Sequence, residues 1–243
     1  MFTIRIAGIT AELHHTYPYV ESLCRDYLCQ TDMPDIKAST TNEEIEAEMA
    51  LAENGGSPQT AESICLYRKI AEQLYRFDAL LMHGAVIGYK GKAYAFIAPS
   101  GTGKSTHIRL WKRCIGNEVF PVNGDKPILR LENGVFTAYG TPWAGKEGWQ
   151  QNIGLPLGGI CIVSRGRANS IEKLTPDRSL AKLMRQIYIP PMMPAAISTM
   201  ELVDKLVANV PVYRLFCDMS EEAVKTSFEA MTGEIYEMKG FTV

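Results

Sequence analysis

The stretch Ala98-Pro99-Ser100-Gly101-Thr102-Gly103-Lys104-Ser105-Thr106 constrains this chain more than any other. It follows an apolar, strand-like run over residues 93–98 and opens a segment of helical character over 103–115. Glycines let the backbone curl tightly, so several N–H groups converge, and the helix N-terminus adds partial positive charge. Strand, glycine loop and helix in that order make a phosphate cradle. The lysine adds a mobile cation and the following hydroxyl a metal-ligating oxygen. The spacing predicts a nucleoside triphosphate site in which Ser100, Gly101, Thr102, Gly103, Lys104, Ser105 and Thr106 surround the phosphates and Ser105 ligates Mg2+. The strict motif begins with glycine where this chain has Ala98, a mild change if that residue keeps ordinary strand angles.

A length of 243 residues suits one large domain or a domain with a substantial N-terminal addition. The division expected is a strand and helix region over 1–77, for partner or substrate recognition or core completion, and a phosphate-loop core over 78–243. Net charge is −2, which offers no basic field for nucleic acid and no polybasic membrane anchor. No apolar run has the length of a membrane span. Residues 1–6 alternate like a strand rather than forming a signal-peptide core, so a cytoplasmic location is expected. The cysteines Cys24, Cys29, Cys65, Cys114, Cys161 and Cys217 are scattered without a Cys-x-x-Cys pair, which suggests reduced thiols and neither zinc nor disulfides.

In chain order, residues 2–13 alternate as one strand and 17–29 read as a helix with Tyr19, Val20, Leu23, Tyr27 and Leu28 on one face. Residues 32–39 suggest a turn and a short strand. Thr41-Asn42-Glu43-Glu44 places acids where a helix start favours them, and 61–77 carries a helical apolar stripe. Farther on, 157–163 is suited to a central strand, 177–187 to a helix, and 190–194 to a stiff apolar loop. Residues 199–209, 212–216 and 220–231 close the chain as helix, strand and helix, with Ser220 as N-cap. The fold class expected is mixed α/β, a mixed β-sheet core with flanking helices and hairpins near the site.

Two hairpins aim side chains at the loop. Apolar runs over 79–89 and 92–98 flank Lys90-Gly91; pairing Tyr89 with Lys92 and stepping back sets His83 opposite Ala98. After a strand over 118–122 comes Asn123-Gly124-Asp125-Lys126. Asp125 stands where nucleotide-site acids hold Mg2+ or take a proton from an attacking hydroxyl. Asn133-Gly134 marks the second hairpin, between 128–132 and 135–139, and its register brings Asp125 near Pro142. Trp143, Lys146 and Glu147 would then line the acceptor or phosphate side. Equally, Trp143 is a hydrophobic plug and Lys146 a solvated charge. Arg165 is a further candidate for a phosphate contact. His14, His15 and His107 read as surface or packing residues.

His83-Gly84-Ala85, the loop Ala98 to Ser105 and Asn123-Gly124-Asp125-Lys126 together resemble the catalytic domain of bacterial HPr serine kinase/phosphorylase, and the shorter kinase-related proteins in particular. The resemblance covers about residues 78–165. It implies a phosphoenolpyruvate carboxykinase-like sheet, ATP and Mg2+ as cofactors, and phosphoryl transfer to a serine hydroxyl of a peptide or small protein. By motif match, His83, Lys104, Ser105 and Asp125 take family positions, whereas Gly124 stands where the family has a first acid. Ring assembly in the family makes a homo-oligomer an expectation. A kinase of a small hydroxylated metabolite such as free serine, and an ATP-sensing regulator without turnover, are the alternatives.

Overall fold

The computed structural model of the chain describes residues 1–52, 56–99 and 101–237. Its first strands show how a glycine redirects an alternating run. Ala7 and Gly8 both have positive φ (51° and 73°), so the strand expected over 2–13 is a hairpin of β1 (Phe2–Ile6) and β2 (Ile9–His14). The helix expected over 17–29 shortens to α1 (Tyr19–Leu23); a 3-10 turn, Arg25–Tyr27, and the strand β3 (Leu28–Cys29) take the remainder. Burial decides this: Val20, Cys24 and Tyr27 are buried, whereas Tyr19 and Leu28 lie outside the core. β4 (Ile36–Ser39) joins the far edge to complete a sheet of order β3-β1-β2-β4.

α2 (Asn42–Ala50) starts at a reciprocal cap, in which the Thr41 hydroxyl accepts from Glu44 N and the Glu44 carboxylate accepts from Thr41 N. α3 (Pro58–Ala71) is capped by Ser57, with proline in its first turn where no N–H partner is lost. The last turn expected of this helix is a 3-10 turn, Leu74–Phe77, closed by Asp78 at φ 51°.

Among the described residues the second sheet holds nine strands. β5 (Ala79–Leu81), β6 (Ala85–Tyr89) and β7 (Lys92–Ile97) precede α4 (Lys104–Ile115); β8 (Val119–Asn123), β9 (Ile128–Glu132), β10 (Val135–Tyr139), β11 (Gly154–Arg165) and β12 (Ser170–Lys173) follow. α5 (Pro176–Leu183), α6 (Met193–Asn209), β13 (Val212–Cys217) and α7 (Glu221–Thr232) complete the chain. The path runs β5-β9-β10-β11-β7-β6-β8, with β13 beside the second half of β11 and β12 beyond it. β7, β11 and β13 are parallel, in a register that aligns Ile97, Ile162 and Arg214. β6 is antiparallel to both β7 and β8. The C-terminal ends of β7, β8, β11 and β13 therefore share one edge, where α/β sheets place their ligand sites.

Three expectations are corrected here. The run 79–89 is two strands, because β5 leaves the hairpin to pair with β9. α5 ends at Leu183, since residues 186–188 run against 81–83: His83 N donates to Gln186 O (2.6 Å) and Tyr188 N to Leu81 O (3.0 Å). α6 begins at Met193 rather than 199, Pro194 fitting its first turn. β12 carries no sequence signal because three of its four side chains are exposed.

One face of the large sheet is covered by α4 and α7, where Trp111 packs edge-on against Phe96 at 5.4 Å and tilted against Phe228. The other face, with Ile97, Ile160 and Val212, lies under α5 and α6 through Leu183, Leu202 and Leu206. The core of the first sheet continues into Ala79, Leu81, Ile128 and Trp143. No helix of the described residues is long and apolar enough to cross a membrane.

Candidate functional site

β7 delivers the chain to the shared edge, and the loop turns there because Gly101 (φ 74°) and Gly103 (φ 118°) adopt angles closed to most side chains. Ala98 is absent from the positive-φ residues, so the missing first glycine carries no strain. Thr102 N donates to Pro99 O at 3.2 Å, and His107 N to Gly103 O at 2.9 Å. Gly103 caps α4 without a side chain. The N–H groups of Lys104, Ser105 and Thr106 thus have no acceptor within the helix. They border a cleft of about 450 Å3 that Gly101, Thr102, Gly103, Gly124, Asp125 and His83 also line. Ser100 lies outside the described residues.

The acidic side of the cleft is held by a buried polar knot. Asn123 Oδ1 accepts from Asp125 N (2.9 Å) and Lys126 N (2.8 Å), closing a turn that presents the Asp125 carboxylate. Asn123 Nδ2 donates to Thr141 O (3.0 Å), while Thr141 Oγ1 and Tyr67 Oη both donate to Lys126 O (2.8 Å each). Gly84 N donates to Asp125 O at 2.8 Å. The first hairpin, the α3 helix and the second hairpin are thereby tied to one acid.

That acid is ionised. Asp125 Oδ1 lies 3.2 Å from His83 Nε2 and Oδ2 lies 3.2 Å from Lys126 Nζ. Burial raises its pKa, but the His83 hydrogen bond and the Lys126 charge outweigh burial and bring it down to about 2. Across the cleft, burial lowers the pKa of Lys104; Asp125 opposes the shift and Lys126 adds to it.

His83, Lys104, Ser105, Thr106 and Asp125 come together as the sequence suggests, and Lys146 and Glu147 line the same cleft. Lys146 is exposed, and Glu147 pairs with Arg109 of α4. Trp143 lines no part of the cleft. It is buried and stacked on Tyr67 at 3.9 Å with 2° between ring planes, and its Nε1 donates to Ser63 O (3.0 Å). Of its two sequence readings, the plug describes its setting. Arg165 sits outside the cleft too: Nη2 donates to Gly101 O (2.6 Å) and Nε to Thr102 O (3.2 Å), so it straps the loop from behind.

Sequence reasoning overlooked Asn123 and Lys126 as site-builders. An Asx residue two before an acid was the available signal for the first, and plain adjacency for the second. Gly124 has a steric reason. A Cβ built there would lie 2.5 Å from Ala144 O and 3.4 Å from Trp149 Cβ, so the second hairpin's following loop occupies the space a side chain needs. Among the described residues no group of three or more His, Cys, Asp or Glu side chains gathers to hold a metal on its own.

The chain is thus a mixed α/β protein with a glycine loop and a single His-paired carboxylate at the shared strand edge. No protein-family model and no curated protein matches its sequence. Among solved structures it is similar to the HPr(Ser) kinase/phosphatase from Coxiella burnetii, at 8% identity and a TM-score of 0.35, over 63% of this chain and 93% of that one. At that score the likeness carries no weight for the site, whose reading rests on its own residues.

Proposed function

We propose that the protein is a Mg2+- and ATP-dependent kinase that transfers the γ-phosphoryl group to an alcohol, with the serine of a peptide or small protein as acceptor. The observation that carries this reading is the cleft itself, in which an uncapped helix N-terminus with Lys104 and Ser105 faces an ionised, His83-paired Asp125. A loose phosphoryl-transfer transition state asks mainly for positioning and charge neutralisation. Backbone N–H groups of the loop and Lys104 would hold the phosphates. The donor set suits Mg2+, which is commonly bound by one or two carboxylates together with substrate phosphates, here Asp125 with the Ser105 hydroxyl. When bound, the ion would neutralise charge on the transferring group.

Asp125, with a pKa near 2, is a weak base that orients the incoming hydroxyl and takes its proton late. His83 would fix the carboxylate through Oδ1, leaving lone pairs on both oxygens for other partners. The closed space at Gly124 favours one alternative, a nucleotide-responsive regulator that transfers nothing, because it leaves Asp125 without an adjacent acid to share base and metal duties, and Glu147 across the cleft is paired with Arg109.

The experiment is nucleotide binding and labelled-phosphate transfer to separate peptide and metabolite pools. Lys104→Ala should weaken ATP binding about tenfold or more, and Asp125→Asn should keep binding while transfer falls by about 10²-fold or more. Full transfer in Lys104→Ala would remove the loop from the reaction. Tight binding with no transfer to either pool would favour the regulator.

A further inference from the structure

A second cavity of about 440 Å3 opens on the other side of Ala98 and Pro99, between the C-terminal ends of β7, β11 and β13 and the end of α5. Its floor is the aligned row Ile97, Ile162 and Arg214. Arg214 follows Val212 by two residues and so shares the strand face that elsewhere packs aliphatic side chains under α5 and α6. Its guanidinium stacks on Phe216 at 4.3 Å, and its Nε is buried with no hydrogen-bond partner among the described residues. Gln186 Oε1, in the wall, is buried and unpartnered as well.

The walls add Arg178, Lys182 and Arg185. Arg178 is held by Glu172 at 2.9 and 3.2 Å, whereas Lys182 and Arg185 have no ion-pair partner among the described residues. No Asp or Glu of the described residues lines the cavity. Four cations converge there in a chain whose net charge is −2, so the concentration is local and not a reflection of a basic protein. A guanidinium that no carboxylate of the described residues pairs with suits a carboxylate or a phosphate oxygen. The wall also reaches the candidate site directly, because Gln186 O accepts from His83 N at 2.6 Å.

We propose that this basic cavity beside the phosphate loop is a second anion subsite that holds an acidic group of the acceptor. The inference rests on the kinase reading and narrows its substrate class to acceptors carrying a carboxylate or phosphate near the target hydroxyl. A nucleobase is uncharged and would leave the cations unmatched. The groove bordered by Gly101, Thr102 and Arg165 offers ribose and base a route of their own.

The test compares wild type with the double variant Lys182→Gln/Arg185→Gln, at half-exposed and exposed positions respectively, so that folding is preserved. With Mg2+ and a non-hydrolysable ATP analogue saturating the loop, calorimetric titration with inorganic phosphate should find one further site in wild type, weakened about tenfold or more in the variant. No such site in wild type, or equal affinity in both, overturns the proposal. In the second arm, labelled ATP is offered two serine-peptide pools of one length, whose other positions are Asp and Glu or Asn and Gln. Wild type should label the acidic pool about tenfold faster, and the variant should bring the ratio toward one with an unchanged KM for ATP. A raised KM for ATP with an unchanged ratio would assign the cavity to the nucleotide and overturn the proposal. If the loop fails to bind the analogue, the kinase reading fails, and the phosphate titration run without nucleotide still decides the cavity.

Discussion

Gly124→Ala tests the packing that sets the geometry around Asp125. The added Cβ would lie 2.5 Å from Ala144 O, where ordinary contact is about 3.3 Å, so one backbone must yield by roughly 0.8 Å. Ala144 has little room to give. Trp143 before it is pinned by the Tyr67 stack and the bond to Ser63 O, Ala144 N donates to Pro142 O, and Glu147 beyond it is paired with Arg109. Overpacking of this kind costs about 1–3 kcal/mol, and the stiffer unfolded chain of alanine returns about 0.4–1 kcal/mol. The net loss should be about 1–2 kcal/mol, measured as a lower urea midpoint at constant m, with a Tm decrease of about 2–8 °C. The displaced loop also carries Gly145, whose α-carbon faces the Asp125 side chain, so transfer should fall more than ATP affinity. An unchanged midpoint would refute the steric account. Gly124→Asp should cost more still and lower transfer below wild type; a rate above wild type would mean that the site accepts a second acid.

Other perturbations read the surrounding structure. Trp143→Ala should cost about 3–5 kcal/mol by urea unfolding, and Trp143→Phe less, about 1–3 kcal/mol, since it keeps one aromatic ring against Tyr67 but loses the fused ring and the donor to Ser63 O; equal costs would refute the share given to the remaining ring. His107 gives a pH signature. Burial lowers its pKa from 6.5 to about 4. Ser227 Oγ receives Trp111 Nε1 and lies within reach of His107 Nε2, while His107 Nδ1 is buried without a partner, so a second ring proton would have no acceptor. The unfolded state takes up this proton first as pH falls, so stability should be level above about 6.5 and decline from there to about pH 4, by roughly 3 kcal/mol in all. Urea midpoints at pH 7 and 5 should differ more in wild type than in His107→Gln, and matching differences would exclude His107 as the cause.

Much of the site was legible because its parts are close in sequence or linked by hairpins. The Tyr89–Lys92 pairing that predicts His83 opposite Ala98 is the register of β6 and β7, and Glu132–Val135 is that of β9 and β10. Two-residue turns with positive φ propagate such a register for several residues on either side. The long run 79–89 misled, because alternation cannot say that a strand changes partner halfway. Helix lengths failed where tertiary burial overrode the apolar period: Tyr27 entered the core from a 3-10 turn, and residues 186–188 were drawn into pairing with 81–83.

The amino-acid order alone determined the features whose cause lies within a few residues: the glycine loop before α4, the helix start after Thr41, the cap at Ser220, and the Asn133-Gly134 hairpin. Backbone angles and orphan N–H groups are satisfied locally, so they can be read locally. Tertiary structure alone decided that His83 reaches Asp125, that Trp143 stacks on Tyr67, that Gly124 has no room for an acid, and that Arg214 meets Lys182 and Arg185 in one cavity. Those relations depend on which strands lie side by side and which helix covers them, and no local energy term in the sequence specifies either.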